Sequence, residues 1–96
     1  MKFPMEVVRF KNINKNYVVA TDGTVWRVKK NGDISMIKPL KHKNGRLFVF
    51  LSVDGKKSIK FVHKLVLETF VGKFEKKIYF KDSDITNVSL SNLYYL

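Results

Sequence analysis

Residues 61–72, Phe61-Val62-His63-Lys64-Leu65-Val66-Leu67-Glu68-Thr69-Phe70-Val71-Gly72, decide the fold class, because the apolar period changes within them. Val62, Leu65, Val66, Thr69 and Phe70 recur at i, i+3, i+4 spacing, which predicts an amphipathic helix of about ten residues. Gly72 stands where such a helix stops. Upstream the pattern is alternation instead. Four pairs, Asp22-Gly23, Asn31-Gly32, Asn44-Gly45 and Asp54-Gly55, supply residues that tolerate the positive φ of tight hairpins. Strand-like runs lie between them at 17–21, 24–29, 34–38, 46–53 and 57–62, with a basic loop at 39–44. Their regular spacing predicts an antiparallel meander.

Alternation also assigns faces. Leu47, Val49, Leu51 and Val53 share one face of their strand, and Phe48 and Phe50 share the other, so this strand is expected to be covered on both sides. Trp26 and Val28 oppose Val25, Arg27 and Lys29, which predicts a sheet face studded with cations. Downstream of the helix come a short strand at 77–80 and a polar loop at 81–88. Ser89 then suits the N-cap of a last helical turn carrying Leu90, Leu93 and Tyr94. The reading is α+β, an antiparallel β-meander followed by a helix–strand–helix unit, in one domain over 1–96.

A content of 45% hydrophobic and 14% aromatic residues is that of a folded chain rather than a disordered one. No cysteine is present, so disulfides and thiolate metal sites are excluded. Residues 1–6 lack a continuous apolar core of a signal peptide, and the longest apolar runs are too short to span a bilayer, so no membrane role and a cytoplasmic location are expected. Nineteen Lys and Arg against eight Asp and Glu give a net charge of +11. Residues 27–64 hold eleven of those cations and two acids, Asp33 and Asp54. A basic block of this density is the electrostatic footprint of nucleic-acid binding, although a solvated Lys-rich surface has the same composition.

The stretch His63-Lys64-Leu65-Val66-Leu67-Glu68-Thr69-Phe70 resembles the VHRLVAEAF segment of HNH endonucleases of the phage and intron-homing type. Ile78-Tyr79-Phe80-Lys81-Asp82-Ser83-Asp84 stands where that family has V-(N/D)-H-I-D-G-N. Asn87 and Leu90-Ser91-Asn92-Leu93 match its NN-x-LSNL. Upstream, Phe10-Lys11-Asn12-Ile13 and the run 17–25 resemble WKDI and YEVSNDGRV, and residues 38–51 resemble LKP…GY-x-x-V-x-L. The resemblance divides the chain into a sheet module at 8–62 and a degenerate HNH (ββα-metal-like) unit at 63–96.

The resemblance implies a divalent metal held by an Asp or Asn and a later Asn, with a histidine as general base. The base position matches Phe80, which takes no proton. The adjacent ligand position matches Tyr79, whose neutral phenol is a poor ligand for a hard cation. Asn92 alone survives of that set, and the family's extension past SNL-x-W is not found before Leu96. The chain is therefore expected to bind no metal or other cofactor and not to act as an enzyme. His63 is expected at the helix start, away from the metal hairpin, in a structural or capping role. His42, between Lys41 and Lys43, is expected to meet phosphate or solvent. The residues expected to contact nucleic acid, DNA by preference, are Arg27, Lys29, Lys30, Lys41, Lys43, Arg46, Lys56, Lys57 and Lys60. The resemblance also implies a phage gene, and hence the host cytoplasm. It leaves open a second function, an inhibitor of a host or defence protein that acts on nucleic acid. The aromatic end Tyr94-Tyr95-Leu96 would serve as a contact for that partner or for a homodimer mate.

Overall fold

In the computed structural model, which describes residues 7–96, the hairpin turns fall at the Asx-Gly pairs. The reading of residues 1–6 lies outside the described residues. β1 (Phe10–Asn14), β2 (Tyr17–Ala20), β3 (Val25–Val28) and β4 (Ile34–Ile37) pair in that order as an antiparallel sheet. β5 (Leu40–Lys41), β6 (Leu47–Val53) and β7 (Lys56–Phe61) form a second one. The single meander expected from turn spacing is thus two sheets, parted at Lys38-Pro39. Proline has no N–H to give to a ladder, so the strand pairing ends there.

Helix α1 (Val62–Phe70) follows β7 directly. After it come β8 (Ile78–Phe80), a 3₁₀ turn (Leu90–Asn92) and β9 (Leu93–Tyr95). β9 pairs antiparallel with β8, Phe80 facing Leu93 and Tyr79 facing Tyr94. The α+β class holds, with the last helix of the expected unit reduced to that 3₁₀ turn. The spacing of Leu90 and Leu93 fits a 3₁₀ turn as well as an α-helix, and the ladder to β8 draws Leu93 and Tyr94 into a strand. β1 and β5 also lie outside the strands read from alternation. β1 has no strict alternation and pairs through an irregularity between Asn12 and Asn14, and β5 is only two residues long.

A helix of nine residues is too short to persist alone, and the N-cap residue Phe61 makes no side-chain capping bond. Packing holds it instead. Val62, Leu65 and Val66 face Val19 and Val25 from the first sheet, Val49 and Leu51 from the second, and Val88 and Leu93 from the C-terminal segment. Full burial of each such side chain contributes about 1.5–3 kcal/mol. Three contacts fasten the layers. The Ser52 N–H donates to the Tyr17 hydroxyl at 2.9 Å, joining the sheets. Gly23, at φ 91°, lies so close to Val88 that a Cβ there would sit 2.8 Å from the Val88 carbonyl oxygen. Beside it the Leu90 N–H donates to the Thr21 carbonyl at 2.8 Å.

Two expectations about faces change. The side of β3 that carries Arg27 also carries Val25, which is buried in the core, so it is a core face with a charged rim. On β6, Val49 and Leu51 are buried under α1, but Phe50 on the opposite face is 40% exposed. Among the described residues that second face has no covering layer.

Candidate nucleic-acid interface

The β8–β9 hairpin turns Ile78 and Phe80 toward the core and Tyr79 outward, where its ring stacks on Tyr94 with centroids 5.6 Å apart. Between this hairpin, the start of α1 and the β5–β6 turn lies an open cleft of about 680 Å³. Tyr79, Phe80 and His63 form its wall, and Arg46, Lys64, Lys76 and Lys77 also line it. Four cations around one concavity make a field suited to an anionic backbone.

His63 stands at the start of α1, as the sequence reading has it, but departs from that reading in two respects. It does not cap the helix and it does not lie away from the hairpin. Its ring sits 5.5 Å from that of Phe80 and 5.9 Å from that of Phe61. It is only 8% exposed, and its Nδ1 has no hydrogen-bond partner among the described residues. Burial, together with the charges of Arg46 and Lys64, pushes its pKa down to about 4, so the ring is neutral at physiological pH. A ring with so low a pKa resists taking a proton, and the surrounding cations can offset charge on a phosphate. Alternation does not reveal this contact, since His63 and Phe80 are far apart in sequence and meet only through the packing of α1 on β8.

Asn92, the family-type ligand that the sequence retains, is buried and engaged on both sides of its amide. Its Oδ1 accepts from the Asp82 N–H at 3.1 Å. Its Nδ2 donates to Asp82 Oδ1 and to the Asn87 carbonyl, both at 2.9 Å. Asn87 Nδ2 donates to the other Asp82 oxygen at 2.7 Å. The bond from Asn87, the backbone N–H of Asp84 and the Asn92 amide hold the Asp82 carboxyl below the usual carboxylate range. The Thr86 hydroxyl and N–H do the same for Asp84. Ser83 takes a left-handed φ of 64° where the family pattern has glycine. Tyr79, Phe80 and an Asn92 already tied to its loop do not fit a divalent cation at the positions where the resemblance places one.

The nine cations named from sequence do not converge. Arg27, Lys29 and Lys30 belong to the β3–β4 hairpin of the first sheet. Lys41, Lys43 and Arg46 surround the β5–β6 turn, and Lys56, Lys57 and Lys60 lie on β7. Of these only Arg46 lines the cleft. Lys41 is near enough to Asp84 to act on its carboxyl, and the Asn44-Gly45 turn packs against Ile85, so this corner adjoins the cleft loop. The sequence reading missed Lys64, Lys76 and Lys77. Lys64 stands beside the histidine at the helix start and Lys76-Lys77 just ahead of β8, and only packing brings them to one cleft.

An antiparallel hairpin, a helix and a loop pinned by a buried asparagine, set behind a β-sheet module, define an HNH-like fold. A solved structure described as "DNA binding and cleavage by the HNH homing endonuclease I-HmuI" superposes with a TM-score of 0.80 and 28% sequence identity. The match covers 92% of this chain and 52% of that one, so the chain spans about half the length of the structure it resembles. No protein-family model and no curated protein matches this sequence. The likeness supports the HNH fold and corrects one expectation. The sequence reading expected loss of nuclease activity, with metal-dependent nicking as its residual alternative, whereas the matched structure is of an endonuclease that cleaves DNA. Among the described residues no helix is long and apolar enough to cross a membrane.

Proposed function

We propose that this chain binds DNA, with the phosphate backbone passing along the cleft beside Tyr79 and Phe80. The observation that carries the proposal is the set of cations at that cleft, Arg46, Lys64, Lys76 and Lys77, at the position of the fold where the resemblance puts the reacting phosphate. The likeness to an endonuclease described as binding DNA supports it. Lys41 and Lys43 extend the track beyond the cleft. Arg27, Lys29, Lys30, Lys56, Lys57 and Lys60 add more distant backbone contacts. Phosphate contacts dominate such an interface, so sequence preference is weak.

The test is a salt titration of duplex binding by fluorescence anisotropy. Log affinity should fall linearly with log salt, with a slope near −0.9 per phosphate neutralised. Arg46→Ala and Lys64→Ala should each make that slope shallower by about 1. Affinity that ignores salt, or two variants that bind as the parent does, would sink the proposal. Strand scission needs a phosphate in the same cleft, so any nicking of supercoiled plasmid falls with the same two changes.

A second reading, a phage-encoded inhibitor of a host protein that acts on nucleic acid, is favoured by one feature. Tyr79 and Tyr94 stack in the open, 39% and 37% exposed, beside an exposed Leu96. A stoichiometric protein partner that survives nuclease treatment and is lost with Tyr94→Ala would support it. Recovery of nucleic acid alone counts against it.

A further inference from the structure

We infer that the uncovered face of the second sheet is a stacking platform for the unpaired bases of single-stranded DNA. The inference rests on the DNA reading above and adds a second, base-contacting surface to it. Register places Leu40, Phe48 and Phe61 side by side across β5, β6 and β7, with Phe50 beside Ile59 in the next row. Val49 and Leu51, which alternate with Phe48 and Phe50 along β6, point into the core. The rings form a connected row. Phe50 and Phe48 have centroids 5.4 Å apart, Phe48 and His42 5.8 Å, His42 and Phe61 5.3 Å. From Phe61 the row runs through His63 to Phe80 at the cleft. Leu40, Phe50 and Ile59 are each 40% exposed or more.

Charge selects the occupant. On the platform face Lys57 lies in line with Ile59 and Phe61 along β7, and Lys43 and Arg46 flank that face at the β5–β6 turn, whereas Lys41, Lys56 and Lys60 pair with Leu47, Val53 and Val49 on the other face. Lys57 lies over the Phe50 ring itself, its Nζ 5.5 Å from the centroid. A second copy of the chain would bring the same cations against themselves. A duplex keeps its bases paired and stacked, so it meets the cations and leaves the rings unused. A single strand offers both phosphates to the cations and flat bases to the rings, the combination that single-strand binders use. Aromatic residues interleaved with cations on a sheet face are also how sheet-based modules hold unpaired bases.

The experiment measures anisotropy of labelled oligothymidylate, of an abasic oligomer of equal length and of a duplex, on the full chain at one salt concentration. Oligothymidylate should bind about tenfold tighter than the abasic strand, which keeps the phosphates but has no bases. Phe50→Ala should lose about that tenfold on oligothymidylate and change neither of the other two. Phe50→Tyr should retain it. Phe50 is exposed, so neither change disturbs the core. Equal affinity for the thymidylate and abasic strands overturns the platform and leaves the cleft proposal standing. So does a Phe50→Ala loss shared equally by the duplex. Self-association that disappears with Phe50→Ala assigns the face to a second copy and overturns it too. Absence of binding to all three overturns both readings.

Discussion

Lowering the pH should destabilise this protein through His63 before its carboxylates matter. In the unfolded chain the imidazole titrates near 6.5, and in the fold burial, then Arg46 and Lys64, push the value down to about 4. Between those two values the unfolded state binds more protons than the native state, so stability falls as pH falls through the window. Above it the full stability remains, and below it His63 causes no further loss. The gap between 6.5 and about 4 corresponds to about 3 kcal/mol at 1.36 kcal/mol per pH unit. His63 borders the open cleft, so solvent screening reduces that figure to about 1–3 kcal/mol. Small domains have only about 5–15 kcal/mol in total, so the loss should be plain. Asp82 and Asp84, both held below the ordinary value of 3.8, lose their contribution only as pH drops below it, outside this window. The assay is urea unfolding followed by circular dichroism from about pH 7 to about pH 4, on the parent and on His63→Phe. The parent-minus-variant difference should change by about 1–3 kcal/mol across the window. A difference that stays flat to within about 0.5 kcal/mol would refute the burial of His63 against Phe80.

Two further substitutions test the fastening of the C-terminal unit. Asn92→Ala removes three side-chain hydrogen bonds and strands the Asp82 N–H and the Asn87 carbonyl. The cost should be about 2–3 kcal/mol, and thermal melting should fall by roughly 10–20 °C; an unchanged melt would mean that Asn92 does not hold the loop. Gly23→Ala places a methyl against the Val88 carbonyl at a positive φ, and should cost about 2 kcal/mol in urea unfolding. The same change at Gly32, where a Cβ would meet nothing within 4 Å, carries only the backbone strain and should cost less.

Much of the fold was legible because its signals are local. Asp54 and Gly55 take φ values of 53° and 77°, as a two-residue hairpin between Val53 and Lys56 requires, and the residue pair alone announces that. Helix α1 was legible for the same reason, its buried positions lying within one turn of each other. What failed was everything that depends on which layer covers which. Alternation shows that Phe48 and Phe50 share a face, but not that the face is open. It shows that Val25 and Arg27 share a side, but not that the side meets the core. The break at Pro39 was written in the sequence, yet regular turn spacing outweighed it.

The site was less legible than the fold, and the cleft shows why. Backbone demands and chemical demands fall on different residues of the same loop. Ser83 takes a left-handed conformation at the position where the family pattern has glycine, and Asn92 ties down the loop that it closes. Those two requirements preserve the hairpin whatever side chains occupy Tyr79 and Phe80. A motif match through this region therefore transfers the shape of the loop without transferring its ligands. Conversely, the groups that give the cleft its present character come from elsewhere, His63 and Lys64 from α1, Arg46 from the β5–β6 turn, Lys76 and Lys77 from ahead of β8. None of them is marked by spacing, because only the packing of three separate elements brings them to one concavity. An account of function that follows the motif alone looks for chemistry at Phe80, whereas the polar groups of the cleft converge around that ring.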